Sequence, residues 1–300
     1  MEPSGVLIIN KQEGVTSHDI VNRIRRLYNT RRVGHTGTLD PMATGVLTVL
    51  VGRAAKAAEY LSADKKEYIA TLRLGITTDT EDVTGNILTS TASIPSPEEV
   101  FKAVKGFEGE LMQIPPMYSA LKVDGQKLCD LARKGVSIER KPRPITVYSI
   151  ECQSTDFPTD YILKVSCSAG TYIRTLCADI GAALGCGGAM ATLCRSAAGD
   201  FNLDISHTLS ELEELTLEER EKLLMPTESL FADLPAVTLP AFYERLSRSG
   251  CEIYQKKIRT SFEIGQRVRL YGENRQFYAL GEVGEYKNGS AIKSIKMFDI

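Results

Sequence analysis

Apolar residues in this chain arrive in runs of strand length, separated by short amphipathic stretches in no regular alternation, and this order constrains the fold more than any other feature. Gly5 to Asn10 and Val46 to Val51 read as buried strands, and even the second, broken by Thr48, is far too short to span a bilayer. Between them, Ser17 is expected to cap a helix with Ile20, Val21, Ile24, Leu27 and Tyr28 on one stripe. An alanine-rich helix to Leu61 and an alternating strand from Tyr68 to Leu74 follow. Ser96-Pro97-Glu98-Glu99 opens a helix to Lys105, and Gln126 to Lys134 reads as another. Ile145 to Glu151 and Tyr161 to Ser168 form a strand pair, and Thr171 to Leu184 a helix. Strands and helices mixed in this way indicate an α+β fold rather than a doubly wound one. Three prolines between Met225 and Pro240 mark a boundary. Beyond it, β-rich pieces punctuated by Gly265, Gly272, Gly281, Gly284 and Gly289 suggest a small barrel. The expected division is a large domain over 1–235 and a small β-rich domain over 236–300.

Charge narrows the partners. The net charge of -2 conceals an acidic stretch from Asp204 to Asp233 holding nine acidic and two basic residues, which leaves the remainder at 34 basic against 29 acidic. Basic residues collect in Arg23 to Arg32, Lys122 to Arg143 and Arg245 to Lys296, a distribution compatible with a polyanion. Seven cysteines without a Cys-x-x-Cys pair, and three histidines far apart, argue for reduced thiols in the cytoplasm and against a zinc site. No basic segment feeding an apolar stretch opens the sequence, so no membrane association is expected.

One segment concentrates chemistry. Asp40 is the only carboxylate between Asp19 and Glu59, an interval holding seven arginines and lysines. Nearby cations favour an ionised carboxylate. It sits in Gly34-His35-Thr36-Gly37-Thr38-Leu39-Asp40-Pro41-Met42-Ala43-Thr44-Gly45, where glycines admit close backbone approach and Pro41 biases Asp40 toward extended geometry. An Asx turn before proline accounts for the same composition. The segment is not a P-loop, for no Gly-x-x-x-x-Gly-Lys is present.

Gly34 to Leu47 resembles the catalytic loop of the TruB family of pseudouridine synthases, which isomerise the T-loop uridine at tRNA position 55. Six further segments match in order: Lys11 to Ser17, Lys66 to Gly75, Thr78 to Gly85, Ile114 to Gly135, Gly170 to Leu176 and Leu193 to Phe201. Gln12, Cys129 and Cys194 stand where the family usually has proline, an aromatic and arginine. The resemblance implies a mixed, largely antiparallel sheet flanked by helices, with a small PUA-like RNA-binding domain at the C-terminus. It implies Asp40 as nucleophile, Tyr68 stacking on the flipped base and taking part in C5 proton transfer, and Arg174 paired with the aspartate. Asp82 would be a second acid on that arginine. His35 would sit near the displaced base, while Tyr172 and Leu193 would line the uracil pocket. The partner implied is the tRNA T-arm stem-loop, bound by a monomer needing neither metal nor cofactor. The competing reading is a tRNA-binding or tRNA-folding protein with little catalysis.

Overall fold

A computed structural model describes residues 2–61, 65–119, 121–123 and 125–299, so Ala120 and Asp124 of the Ile114 to Gly135 motif lie outside the described residues. The first strand, Gly5–Lys11, is buried on both faces, which is why its apolar run does not alternate with polar residues. Leu7 and Ile9 join Ile20, Val21 and Ile24 of the helix Ser17–Leu27 in the main core. Val6 and Ile8 face a second core containing Ala54, Ala57, Phe231 and Leu280. Each of the valine, leucine, isoleucine and phenylalanine side chains contributes about 1.5–3 kcal/mol on full burial.

Nine strands make one sheet. Its path runs Gly5–Lys11, Thr44–Val51, Gly188–Ala198, Lys66–Leu74, Asp160–Cys167, Arg143–Ser154, Gly109–Gln113, with Val33–Thr36 and Phe201–Asn202 paired off the path. Every pairing is antiparallel except that of Gly188–Ala198 with Thr44–Val51, where Cys194 pairs with Thr44 and Arg195 with Gly45. This single parallel junction brings the Asp40 loop beside a strand about 150 residues further along the chain. The helices Pro97–Lys105 and Ile173–Ala183 pack into the same main core through Val100, Val104, Leu176 and Ile180. The result is the α+β architecture expected, with a mixed, largely antiparallel sheet.

Three local expectations need correction. Thr16, not Ser17, caps the first helix: its hydroxyl accepts from the Asp19 amide at 3.1 Å, and Asp19 returns a bond to the Thr16 amide at 2.9 Å. Ser17 is committed elsewhere, to the backbone of Leu39. The alanine-rich stretch Gly52–Tyr60 winds as a 3-10 helix, whose three-residue turn puts Ala54 and Ala57 on one buried side. Gln126–Lys127 pairs with Lys122–Val123 as a short ladder, and only Leu128–Arg133 is helical.

From Ala236 a second sheet begins, ordered Ala236–Thr238, Arg267–Tyr271, Phe277–Tyr286, Gly289–Met297, Ile253–Tyr254, over its own core of Val237, Val268, Leu270 and Ile292. It is keyed to the large sheet. Leu280 and Phe298 are buried with Val6, Ile8, Leu50 and Phe231. Arg53 Nη1 also donates to the Asp299 carbonyl at 2.6 Å. Among the described residues no helix is long and apolar enough to cross a membrane.

Candidate active site

Three buried side chains hold the Asp40 loop by its backbone. Ser17 Oγ donates to the Leu39 carbonyl at 3.1 Å and accepts from the Leu39 amide at 2.9 Å. Lys11, wholly buried, donates through Nζ to the carbonyls of Gln12 at 2.9 Å, Pro41 at 3.1 Å and Ala43 at 2.5 Å. Burial pushes this ammonium down to about 8, with Asp40 pulling the other way. Arg195 donates to the carbonyls of Val46 at 2.7 Å and Gly37 at 2.8 Å. Gly37 is left-handed with φ +67°, a conformation in which its carbonyl meets that guanidinium at little cost only for glycine.

Asp40 therefore projects from a fixed frame into a cavity of about 400 Å³. Arg174 meets it side-on, with Nε 3.0 Å from Oδ2 and Nη2 3.4 Å from Oδ1. The remaining donors of Arg174 reach Asp82 Oδ2 at 3.5 Å and the carbonyls of Thr80 at 3.3 Å and Tyr118 at 2.7 Å. Every guanidinium nitrogen is thus engaged, as a planar fork allows and an ammonium does not. Arg174 begins a helix, where the dipole disfavours a cation, so the two carboxylates hold it there. Protein crowds Asp40 and pushes its carboxyl up, Arg174 opposes this, and 38% of the side chain stays open to the cavity.

Asp82 is itself anchored. Its Oδ1 accepts from Thr80 Oγ1 at 2.9 Å and from the Thr84 amide at 3.0 Å, and Glu81 before it adopts φ +64° with its carbonyl accepting from the Met190 amide at 3.0 Å. Tyr172 precedes Arg174, with its backbone clamped by buried Gln113 through bonds of 3.0 and 2.8 Å. Tyr172 and Leu193 line the cavity, and so does Tyr68, whose phenol burial pushes up while Arg195 opposes it. His35 does not line it. Its strand enters the loop from behind, pairing with Val49, and its Nδ1 is buried without a partner. Burial first and the Arg195 charge second hold this imidazole below its ordinary range, so it is neutral. Arg174 thus joins Asp40 to Asp82, with Tyr68, Tyr172 and Leu193 around the same cavity.

Sequence reasoning passed over Lys11, Gln113 and Arg195. Lys11 and Arg195 lie inside matched segments, but a lysine or arginine in a strand ordinarily marks a surface. Arg195 stands alone among small and apolar residues from Leu193 to Ala198, which hinted at burial, whereas Lys11, between Asn10 and Gln12, carried no such signal. Among the residues lining the cavity, Asp40 is the single carboxylate and stands among three cations, Lys66, Arg174 and Arg195. No group of His, Cys, Asp or Glu among the described residues is arranged to hold a metal ion.

Residues 25–173 match the family model described as TruB family pseudouridylate synthase (N terminal domain), and residues 174–232 match tRNA pseudouridylate synthase B C-terminal domain. The join between the two falls inside the nine-stranded sheet, since Gly188–Ala198 after it pairs with Lys66–Leu74 before it. A protein named tRNA pseudouridine synthase B from Alkaliphilus oremlandii is 44% identical over 297 residues, 98% of each chain. One of the same name from Clostridium kluyveri is 41% identical, covering 98% of this chain and 99% of its own. Among solved structures, a Cbf5-Nop10-Gar1 complex aligns with a TM-score of 0.75 at 27% identity, covering 98% of this chain and 84% of that one. An H/ACA RNP bound to a substrate RNA containing 2'-deoxyuridine aligns at 0.73 and 25%, covering 99% and 85%.

Proposed function

The chain belongs to the TruB family of pseudouridine synthases that act on tRNA, and from that premise we propose that it isomerises the T-loop uridine at tRNA position 55 with Asp40 as nucleophile. The observation that carries this reading is a lone carboxylate, oriented by a two-point guanidinium contact, in a cavity otherwise lined by cations, two tyrosines, hydroxyl side chains and apolar groups. A hydrolytic pair of acids would place a second carboxylate across the cavity, and the lining holds none. Pseudouridine formation needs one nucleophile, since uracil is detached from C1′, turned and rejoined through C5.

Reaching the glycosidic bond requires the uridine to leave its stack, at a cost of a few kcal/mol. Tyr68 offers the ring on which the flipped base stacks, a contact worth about 1–3 kcal/mol. Leu193 and Tyr172 supply the apolar walls. Arg174 favours the ionised form of Asp40 against the pull of burial and aims it, and Asp82 with the Thr80 and Tyr118 carbonyls keeps Arg174 from following the phosphates. The unit from Ala236 onward, with eleven basic and seven acidic residues from Ala241 to Ile300, extends the phosphate-binding surface. Seven free thiols, three of them buried, accord with work in the cytoplasm.

The test is release of tritium from C5-labelled uridine in an unmodified tRNA transcript. Wild-type protein is expected to release it, and Asp40→Asn to fall to background while binding tRNA within a few fold, because phosphate contacts supply the affinity. An Asn variant that turns over normally ends the nucleophile assignment.

A further inference from the structure

Resting on that reading, we propose that Arg195 is the residue that makes Tyr68 a base: its guanidinium faces the phenol across two paired strands and stabilises the phenolate that removes the C5 proton. Tyr68 and Arg195 are direct cross-strand partners in the antiparallel pairing of Lys66–Leu74 with Gly188–Ala198, and both side chains line the cavity. The pairing loses its regular register immediately after Arg195, before Ala197, a bulge that turns the chain at this residue. Arg195 is 2% exposed. Its bonds go to two neutral carbonyls, those of Val46 and Gly37, and among the described residues no carboxylate lies within ion-pair distance. A cation taken out of water ordinarily carries an anionic partner. Here the group positioned to become that partner is the phenol.

Other neighbours do not substitute for it. Tyr68 also feels Cys167 from the adjoining strand and Asp40 from the loop, and both oppose ionisation of the phenol. Around Arg195 stand Lys11 and His35, the first a cation in its bound state and the second neutral. Lys66, two residues before Tyr68 on the same strand, lines the same cavity, but the charge that pulls directly on the phenol toward its ionised form is that of Arg195. In the step proposed, once C1′ is joined to C5 the C5 proton passes to the phenolate oxygen. The C–H electron pair forms the C5–C6 double bond as the C6–N1 double bond opens onto N1, N1 takes a proton from water, and the phenol returns its proton to solvent, so no co-reactant is needed. Arg195 acts through Tyr68 and is a positioning residue rather than a catalytic one.

The test is single-turnover kinetics of Arg195→Gln on T-arm substrate carrying protium or deuterium at C5. Positioned proton transfer contributes about 100-fold or more, so the variant is expected to slow at least about tenfold and to acquire a C5 isotope effect above about 2. 3,5-Difluorotyrosine at position 68, a more acidic phenol, is expected to restore most of the rate. A variant as slow but without an isotope effect has lost only its grip on the Gly37 and Val46 carbonyls, and the proposal fails. Should Arg195→Gln not fold, the otherwise unaltered protein bearing difluorotyrosine at 68 decides the matter. Its Arg195 Nε resonance, assigned by its loss in Arg195→Lys, must move as that phenol ionises, and an unmoved resonance overturns the proposal. Tyr68→Phe releasing C5 tritium at the wild-type rate would instead sink the role of Tyr68 itself.

Discussion

Arg174→Lys separates a guanidinium that orients from a cation that merely attracts. The native fork touches both oxygens of Asp40 while its remaining donors are tied to Asp82 and to the Thr80 and Tyr118 carbonyls, so lysine keeps the charge and forfeits the alignment. Misplacing a nucleophile by about 1 Å costs on the order of 100-fold. The lysine variant is therefore expected to lose at least about tenfold in single-turnover rate, with tRNA affinity nearly unchanged. A wild-type rate would reduce Arg174 to a source of positive potential.

At the scale of elements, the site depends on a close crossing of the Asp40 loop, the strand Thr44–Val51 and the strand Gly188–Ala198. Gly45 is where they meet: it has φ +99°, and a Cβ there would stand 2.2 Å from the Arg195 carbonyl oxygen. Gly45→Ala must strain its own backbone and push the strands apart, at a cost of at least about 2 kcal/mol. Chemical denaturation is expected to show that loss as a lowered midpoint. The rate should fall with it, because Arg195 and the loop share the displaced backbone. A variant with unchanged midpoint and rate would mean the crossing relaxes freely.

On the scale of the whole molecule, we propose the division at 235/236 as a functional one, with chemistry before it and phosphate contact after it. It is not an energetic division, because Leu280 and Phe298 are buried against Val6, Ile8, Leu50 and Phe231. A chain ending at residue 235 uncovers that core. We expect it to melt several degrees lower, as loss of a few kcal/mol implies for a chain of this size. Its tRNA affinity should drop and depend less steeply on salt, since fewer phosphates are contacted. The single-turnover rate of bound tRNA should stay within a few fold. An unchanged salt slope would remove the RNA-contact role from the terminal unit.

The periodicity of the apolar residues was enough to indicate an α+β chain, its main strands and the helix stripe of Ile20, Val21 and Ile24, because burial on one or both faces leaves its period in the order of residues. The motif around Asp40, with Tyr68 and Arg174, was legible for a different reason: chemistry restricts residue type at a few positions and spacing preserves it. Less local facts were not. Whether Ser17 caps a helix or clasps Leu39 depends on a loop 22 residues away. That Lys11 and Arg195 are interior cations holding the loop carbonyls depends on strands far apart in sequence, Gly5–Lys11 and Gly188–Ala198, meeting around the loop. Their burial is tolerable only because folding supplies those carbonyls at hydrogen-bond distance. A buried charge is decided by its partners, and those partners are adjacent only in the folded chain.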